Sequence, residues 1–424
     1  MLVFKFGGAS VKNAESVRNI ANILRRYNEN IVVVLSAMGK TTNALEQITD
    51  DYFHGKRKEL ERNFENLKAY HYYIMKDLFG GDDHPAYSKV KVIFNSMAEK
   101  FGHKPTMNYD FDYDQIVCNG ELLSTTIVSE YLNETGIKTG WVDIRECLKT
   151  DNKFREGKVD WDLTGELLPG AFTFNGNHLF LTQGFLGSTI NDLTTTLGRE
   201  GSDYTAAIIA YIMDAERVIV WKDVPGVLNA DPKWFDDTVL LEHLSYKDAI
   251  ELAYYGASVI HPKTIQPLKK KGILLQVKSF VDSDLPGTAV GLDDYERLIP
   301  SFIFKMDQVL IHISARDFSF ITEDYLSVIL GSFAKHGLKI NLMQNTAISF
   351  QVCVNRDENR IQRVVSELQE QFNIETENNL ELVTIRYFDE VTINRVTIEK
   401  EILLEQHNNT VAQMVMRDLG TKGT

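Results

Sequence analysis

The stretch Thr194-Thr195-Thr196-Leu197-Gly198-Arg199-Glu200-Gly201-Ser202-Asp203-Tyr204-Thr205-Ala206-Ala207 has the composition of a loop that can hold an anion. It is small, polar and glycine-punctuated, and it runs directly into an apolar helix through Ile208, Ile209 and Tyr211. With Ser202 or Asp203 as N-cap, the free N–H groups of the first helical turn point at the loop. Orphan donors and the helix dipole both favour negative charge at such an end. Arg199 adds a planar fork suited to carboxylate or phosphate, and Asp203 adds a carboxylate within a turn of it. A capped helix after a flexible loop explains the pattern equally well. The company this stretch keeps decides between the two.

Three other segments have the same character. Leu2-Val3-Phe4-Lys5-Phe6 reads as a strand stopped by Gly7-Gly8, with Ala9-Ser10 next and Asn13 capping a helix through Val17, Ile20, Ala21 and Leu24. That turn aims backbone N–H groups at a phosphate-sized space beside Lys5, although an ordinary βα turn has the same text. Ile31 to Leu35 is an apolar run ending in Ser36-Ala37-Met38-Gly39-Lys40-Thr41-Thr42-Asn43. Gly39-Lys40-Thr41 resembles the end of a P-loop, but Val34 stands where the first glycine is required, so it is not a Walker A motif. Asn119-Gly120-Glu121 opens a helix through Ile127, Val128 and Tyr131, with Glu121 in the first turn where the dipole favours any acid.

The elements that must position these residues alternate. After Thr194–Ala207 and its helix comes the strand Arg217 to Asp223, then Val224-Pro225-Gly226-Val227-Leu228 and Asn229-Ala230-Asp231-Pro232-Lys233, text dense in turn formers. Ser245 caps a helix reaching Leu252, Gly256-Ala257-Ser258 follows, His261-Pro262 opens another helix, and Ile273 to Lys278 is a further strand. Gly140 to Asp143 and His178 to Phe185 read as strands as well. Repeated strand–loop–helix units predict an α/β fold, a mostly parallel sheet sandwiched by helices. Ligands of such sheets bind at the carboxyl ends of strands, where every motif above falls. Residues 51–110 change to long amphipathic helices, with Leu60, Phe64, Leu67 and Tyr70 on one stripe and Val90, Val92, Ile93 and Met97 on another. They read as a helical insertion rather than a catalytic segment.

Near Pro300 the pattern changes. A strand at Gln308 to Ile313, a helix from Tyr325 to His336, strands at Leu338 to Leu342 and Ile348 to Val354, a helix from Asp357 to Phe372 and a strand at Leu380 to Tyr387 give a compact β-α-β-β-α-β unit. The tail reads as a hairpin turning at Asn408-Asn409. No catalytic cluster falls in this half, which points to regulation or assembly. The domain expectation is 1–295 for the catalytic unit, with the insertion at 51–110, and 300–424 for the second.

At 424 residues the chain calls for roughly two or three domains. A formal net charge of −14 argues against nucleic-acid and anionic-membrane surfaces, leaving room for a local basic site. Cys118, Cys147 and Cys353 are widely spaced, which suggests neither a disulfide framework nor a zinc site. There is no leader-like run at the start and no stretch near the ~20 apolar residues of a membrane span. A cytoplasmic location is expected.

Taken together, Lys5-Phe6-Gly7-Gly8-Ala9-Ser10, Asn119-Gly120-Glu121, Thr194 to Ala207, Trp221 to Gly226 and Tyr255-Gly256-Ala257-Ser258-Val259-Ile260-His261-Pro262 resemble the motifs of the aspartate kinase family, in its order and spacing. The C-terminal half resembles the ferredoxin-like ACT regulatory domains of that family. The resemblance implies phosphorylation of the side-chain carboxylate of L-aspartate by ATP with Mg²⁺, giving 4-phospho-L-aspartate at the start of lysine, threonine and methionine synthesis. It implies that Lys5 serves the phosphoryl group beside Gly7, Gly8 and Ser10, with Asp203 organising the lysine and the substrate. Arg199 would hold an aspartate carboxylate and Glu121 its ammonium, with Ser36, Thr42 and Ser202 in the same pocket. Lys222, Asp223, Gly226, Asp231, Lys233, Ser258 and Lys263 would form the nucleotide side. No protein cage for the metal is evident, as expected for a cation held largely by phosphates and water. Lysine and threonine are the candidate effectors, and a homodimer through the ACT strands is implied.

The chain departs from the family at several positions. It has Ala9 for Thr, Glu200 for Gly, Lys222 for Thr and Ser258 for Lys. We expect Lys222 or Lys263 to replace the charge absent at Ser258, and we give Glu200 no role. Asp324 and Asn341 stand where lysine-sensitive relatives carry a glycine and an acid, so insensitivity to lysine is open. The tail after Tyr387 is too short for a second ACT unit with both helices. The competing readings are another kinase of this fold acting on glutamate or acetylglutamate, and a non-catalytic amino-acid sensor.

Overall fold

The computed structural model describes residues 1–257, 260–292, 299–317 and 319–420. The chain forms two compact units, one of Met1–Val227, Leu240–Ile250 and Val259–Tyr295, the other of Leu228–Val239, Glu251–Ser258 and Glu296–Thr424.

The first unit is built on strands β1 (Leu2–Phe6), β2 (Ile31–Leu35), β3 (Gly140–Val142), β4 (Leu179–Gln183), β7 (Arg217–Lys222), β8 (His243–Ser245), β9 (Leu274–Ser279) and β10 (Thr288–Gly291), in the order β3-β4-β2-β1-β7-β9-β10-β8. A separate two-stranded ribbon pairs β5 (Leu186–Ser188) with β6 (Thr194–Thr196). The central strands β1, β2, β4 and β7 are parallel, and only β10 against β9 is antiparallel among the pairs of the large sheet. β1 and β2 are buried at every position, which is why they read as unbroken apolar runs rather than alternating ones.

Helices cover both faces: α1 (Ala14–Leu24), α2 (Thr41–Phe53), α3 (Arg57–Phe79), α4 (Pro85–Gly102), α5 (Tyr109–Val117), α6 (Asn119–Glu134), α7 (Trp161–Ala171), α8 (Gly201–Ile212), α9 (Tyr246–Tyr255) and α10 (Pro262–Lys271). The Asn13 side chain caps α1 by accepting from Ser16 N–H at 2.8 Å, and Ser245 Oγ accepts from Asp248 N–H at 3.1 Å at the start of α9. On the apolar side of the sheet Phe6 and Trp221, paired in register, stack at 5.9 Å. The helical stretch 51–110 packs Leu60, Phe64 and Leu67 with Val90, Phe94 and Met97 into the same core. Val92 is 67% exposed and does not belong to that stripe, because the buried face of α4 runs Val90–Phe94–Met97 at helical spacing.

The second unit carries a six-stranded antiparallel sheet of β11 (Ser301–Ala315), β12 (Ile340–Asn345), β13 (Ser349–Asn355), β14 (Phe372–Arg386), β15 (Lys400–His407) and β16 (Val411–Asp418), in the order β12-β13-β11-β14-β16-β15. Helices α11 (Glu323–Lys335) and α12 (Glu358–Leu368) complete a β-α-β-β-α-β sequence. Beyond β14 there is one short helix, α13 (Glu390–Thr397), before the β15–β16 hairpin.

Candidate active site

Strand period explains why two lysines meet. Lys5 pairs in register with Val220 on the neighbouring parallel strand, so Lys222, two residues further along β7, returns to the face that Lys5 occupies. Helix α8 begins beside these strand ends. Asp203, in its first turn, lies with Oδ1 2.5 Å from Lys5 Nζ and Oδ2 3.9 Å from Lys222 Nζ. Burial alone would push the Asp203 carboxyl up, but the Lys5 and Lys222 ammonium groups outweigh it and hold the group below its usual range. Burial lowers Lys222 in turn, partly offset by Asp203.

The start of α8 differs from the sequence expectation. Neither Ser202 nor Asp203 is the N-cap; that position belongs to Glu200, whose backbone is left-handed at φ 55° and whose side chain makes no capping bond. The helix therefore begins at Gly201, and Ser202 and Asp203 sit buried inside its first turn rather than flanking it. Glu200 Oε2 is buried and accepts no hydrogen bond among the described residues. Few non-glycine residues adopt this backbone, which is why glycine suits the position.

Glu121 reaches the site from the first turn of α6. A Cβ on Gly120 would lie 2.9 Å from Ala37 Cβ and 3.1 Å from Leu45 Cδ1, so the missing side chain is what lets α6 approach the loop after β2. There Glu121 Oε1 accepts from Ala37 N–H at 3.1 Å, while Oε2 is buried with no partner among the described residues. Burial pushes the Glu121 carboxyl up to about 8, against the Ala37 N–H and the more distant Lys5.

Lys5, Ser36, Thr42, Glu121, Arg199, Ser202, Asp203 and Lys222 all line one cavity of about 840 Å³ in the first unit. Arg199 is exposed at its edge. Ser10 is buried and its N–H donates to Gly7 O at 2.9 Å within the turn after β1, while Gly39 N–H donates to Gly8 O at 3.0 Å and joins that turn to the loop after β2. Gly226 is buried against Thr288, Asp223 is exposed, and Lys263 is exposed in the first turn of α10. Asp231 and Lys233 are exposed residues of the second unit, and Ser258 lies outside the described residues.

The sequence reading missed part of the wall. Glu46, Asp110, Tyr113, Phe185, Thr196 and the run Lys153, Phe154, Arg155 and Glu156 also line the cavity. The lining sets five cations against six acids, so the cavity is a site of mixed charge rather than the local basic site for which the net charge left room.

The amino acid kinase family model matches residues 1–279, and the chain belongs to that family. It is 28% identical over 404 residues to the lysine-sensitive aspartokinase 3 of Escherichia coli (strain K12), covering 91% of this chain and 86% of that one. Over 314 residues it is 32% identical to the chloroplastic bifunctional aspartokinase/homoserine dehydrogenase 2 of Arabidopsis thaliana, covering 69% of this chain and spanning 33% of that longer protein. Its structure is similar to E. coli aspartokinase III in complex with aspartate and ADP, with a TM-score of 0.82, 25% identity, and 98% and 96% of the two chains covered. Among the described residues no helix is long and apolar enough to cross a membrane.

Proposed function

We propose that this chain is an aspartate kinase, moving the γ-phosphoryl group of ATP to the side-chain carboxylate of L-aspartate. The observation that carries the reading is the buried Glu121 Oε2, without a hydrogen-bond partner among the described residues, in the same cavity as the Lys5–Asp203 pair and Arg199. Those groups offer an acid for an amino acid's ammonium, a fork for its carboxylate and an ammonium for a phosphoryl group. Family membership and the likeness to the E. coli enzyme bound to aspartate and ADP support it.

The acceptor carboxylate, with an ordinary pKa of about 4, is ionised at neutral pH and needs no general base. One of its oxygens forms the new P–O bond as the bond from the γ-phosphorus to the bridging oxygen of ADP breaks. The protein's work is alignment and charge neutralisation. Arg199 and Glu121 orient the amino acid, with Ser36, Thr42 and Ser202 offering hydroxyls. Lys5, oriented by Asp203, faces the moving phosphoryl group beside Gly7, Gly8 and Ser10. Lys222, Asp223, Gly226 and Lys263 serve the nucleotide. Asp203 is a carboxylate on the cavity wall, a donor that fits a Mg²⁺ held mainly by phosphates and water.

In the same reading, residues 1–295 are catalytic, and 300–424 form an ACT-type regulatory region with an abbreviated second unit. That region answers to lysine, threonine or neither and pairs two chains in the cytoplasm. The test is ADP release with MgATP and L-aspartate, L-glutamate or N-acetyl-L-glutamate. Turnover on aspartate, lost in Arg199→Ala, is expected; turnover confined to another acid, or none, would overturn the assignment.

A further inference from the structure

Asp114 is a fully buried carboxylate near the end of α5 whose bonds all cross to distant segments. Its Oδ2 accepts from the backbone N–H of Arg155 at 2.9 Å and from that of Thr196 at 3.0 Å, and its Oδ1 accepts from Thr196 Oγ1 at 2.7 Å. Arg155 and Thr196 belong to two separate walls of the cavity: loop 151–158 and strand β6, which continues through Gly198 to Arg199.

The two walls also meet directly. Gly157 N–H donates to Thr196 O at 2.9 Å, and Gly198 (φ 78°) comes close enough that a Cβ there would lie 3.2 Å from Arg155 O. Arg155 itself has a left-handed backbone at φ 65°, a conformation that surroundings must hold in place for a non-glycine residue. Its guanidinium lies over the Tyr113 ring at 4.4 Å and pairs with Asp110 at 3.2 Å, so α5 supplies both the backbone anchor and the side-chain seat of this loop. Burial raises the Asp114 carboxyl to about 6 even against its three donors, a sign of how little water shares the site.

We propose that Asp114 is a positioning residue for the acceptor end of the cavity, fastening loop 151–158 to β6 and so fixing where Arg199 stands. It touches no substrate itself. Hydrogen bonds to a carboxylate are charge-assisted and roughly twice as strong as neutral ones, and small misplacements of a binding group are costly. The inference rests on the kinase reading only for which substrate feels the loss.

The test uses the full-length chain and the variants Asp114→Ala and Asp114→Asn, with two readouts. Asn keeps a carbonyl oxygen for the two N–H donors and an amide that can donate to Thr196 Oγ1. In Asp114→Ala, KM for L-aspartate should rise about tenfold or more with KM for ATP unchanged, and Asp114→Asn should recover most of it. Amide hydrogen exchange should speed up together in peptides spanning 151–158 and 194–199, with β1 and β2 unaffected. Parallel changes in both KM values and global loss of protection would make Asp114 merely structural and overturn the proposal, as would faster exchange in one segment alone. If the unaltered chain turns over no aspartate, the kinase reading fails while the exchange result still decides the role of Asp114. Should Asp114→Ala not fold, Thr196→Val, which removes one of the three bonds, must show the same split at smaller size.

Discussion

Asp203 stands between two ammonium groups, with Lys5 at 2.5 Å and Lys222 at 3.9 Å. The arrangement is asymmetric, and it predicts unequal costs. Removing Lys5 leaves Asp203 with Lys222 as partner, whereas removing Asp203 takes the ion pair from buried Lys5 and an acidic neighbour from Lys222. Breaking a buried pair from one side costs about 3–5 kcal/mol. Asp203→Leu should sit at the upper end of that range and Lys5→Met at or below the lower end, measured by denaturant unfolding. The double variant should recover part of the loss, because removing both charges also removes the desolvation cost. ADP release should be abolished in all three. Activity returning with stability in the double variant would sink the assigned role of Lys5.

Glu121 predicts a proton linked to binding. Its carboxyl, at about 8 in the ligand-free site, is largely protonated at pH 7. An arriving ammonium favours the ionised form, so binding should release a proton at pH 7, and KM for L-aspartate should fall as pH rises from 6 to 8. The stability effect has the opposite sense. A carboxyl whose folded value lies above its ordinary one destabilises the fold increasingly as pH rises from 4.5 towards 8, so Glu121→Gln should gain stability over the unaltered chain across that window. Calorimetry of aspartate binding in buffers of different ionisation enthalpy checks the first point. Identical heats in every buffer would contradict it.

Much of this site was readable because its residues sit next to turn signals. Lys5 precedes Gly7-Gly8, Glu121 follows Gly120, and Arg199 lies in a glycine-punctuated loop, so local text marks each as a strand or helix end. The parallel sheet was readable from the apolar runs of β1 and β2. Asp114 was not readable, since its partners lie 41 and 82 residues away and nothing around it distinguishes it from a solvated helix acid. The cap of α8 was misread for a different reason. Capping rules look for a side-chain oxygen, but here a left-handed glutamate begins the helix by backbone conformation alone.

That glutamate gives the next prediction. A non-glycine residue at φ 55° carries a backbone cost of about 1–2 kcal/mol, part of which glycine gives back as unfolded-chain entropy. Glu200→Gly should therefore stabilise the chain by about 1 kcal/mol in denaturant unfolding. It should also lower KM for ATP, by removing a carboxylate from the wall that phosphates would approach. Destabilisation by this change would mean that Glu200 has a partner that matters more than its strain.

Lys222 and Lys263 divide the charge question. Lys222 is largely buried in the cavity wall beside Asp203, whereas Lys263 is exposed in the first turn of α10. A buried ammonium near a phosphate is screened less than an exposed one. Lys222→Ala should raise KM for ATP about tenfold with little salt dependence, and Lys263→Ala about twofold, fading as salt is added. Unaltered ATP affinity in both variants would refute the idea that either replaces the charge missing at Ser258.

In the second unit three of the four hydrogen-bonding positions of the Asn341 side chain are already filled, which leaves little for an incoming ammonium. Its Nδ2 donates to Gln308 Oε1 at 2.8 Å and to Asn355 Oδ1 at 2.7 Å, and its Oδ1 already accepts from Lys305 Nζ at 2.9 Å. The chain's own lysine thus holds Asn341, the group that the family resemblance sets against an acid of lysine-sensitive relatives. A neutral acceptor so occupied gains little from exchanging one ammonium for another, since the bound one pays no entropy of association. Free lysine should leave ADP release unchanged at concentrations where threonine is tested alongside it. Asn341→Asp together with Lys305→Met frees a carboxylate while removing its internal partner, and lysine should then protect the variant against thermal unfolding by mass action. Inhibition of the unaltered chain by lysine would show that the effector binds without using Asn341.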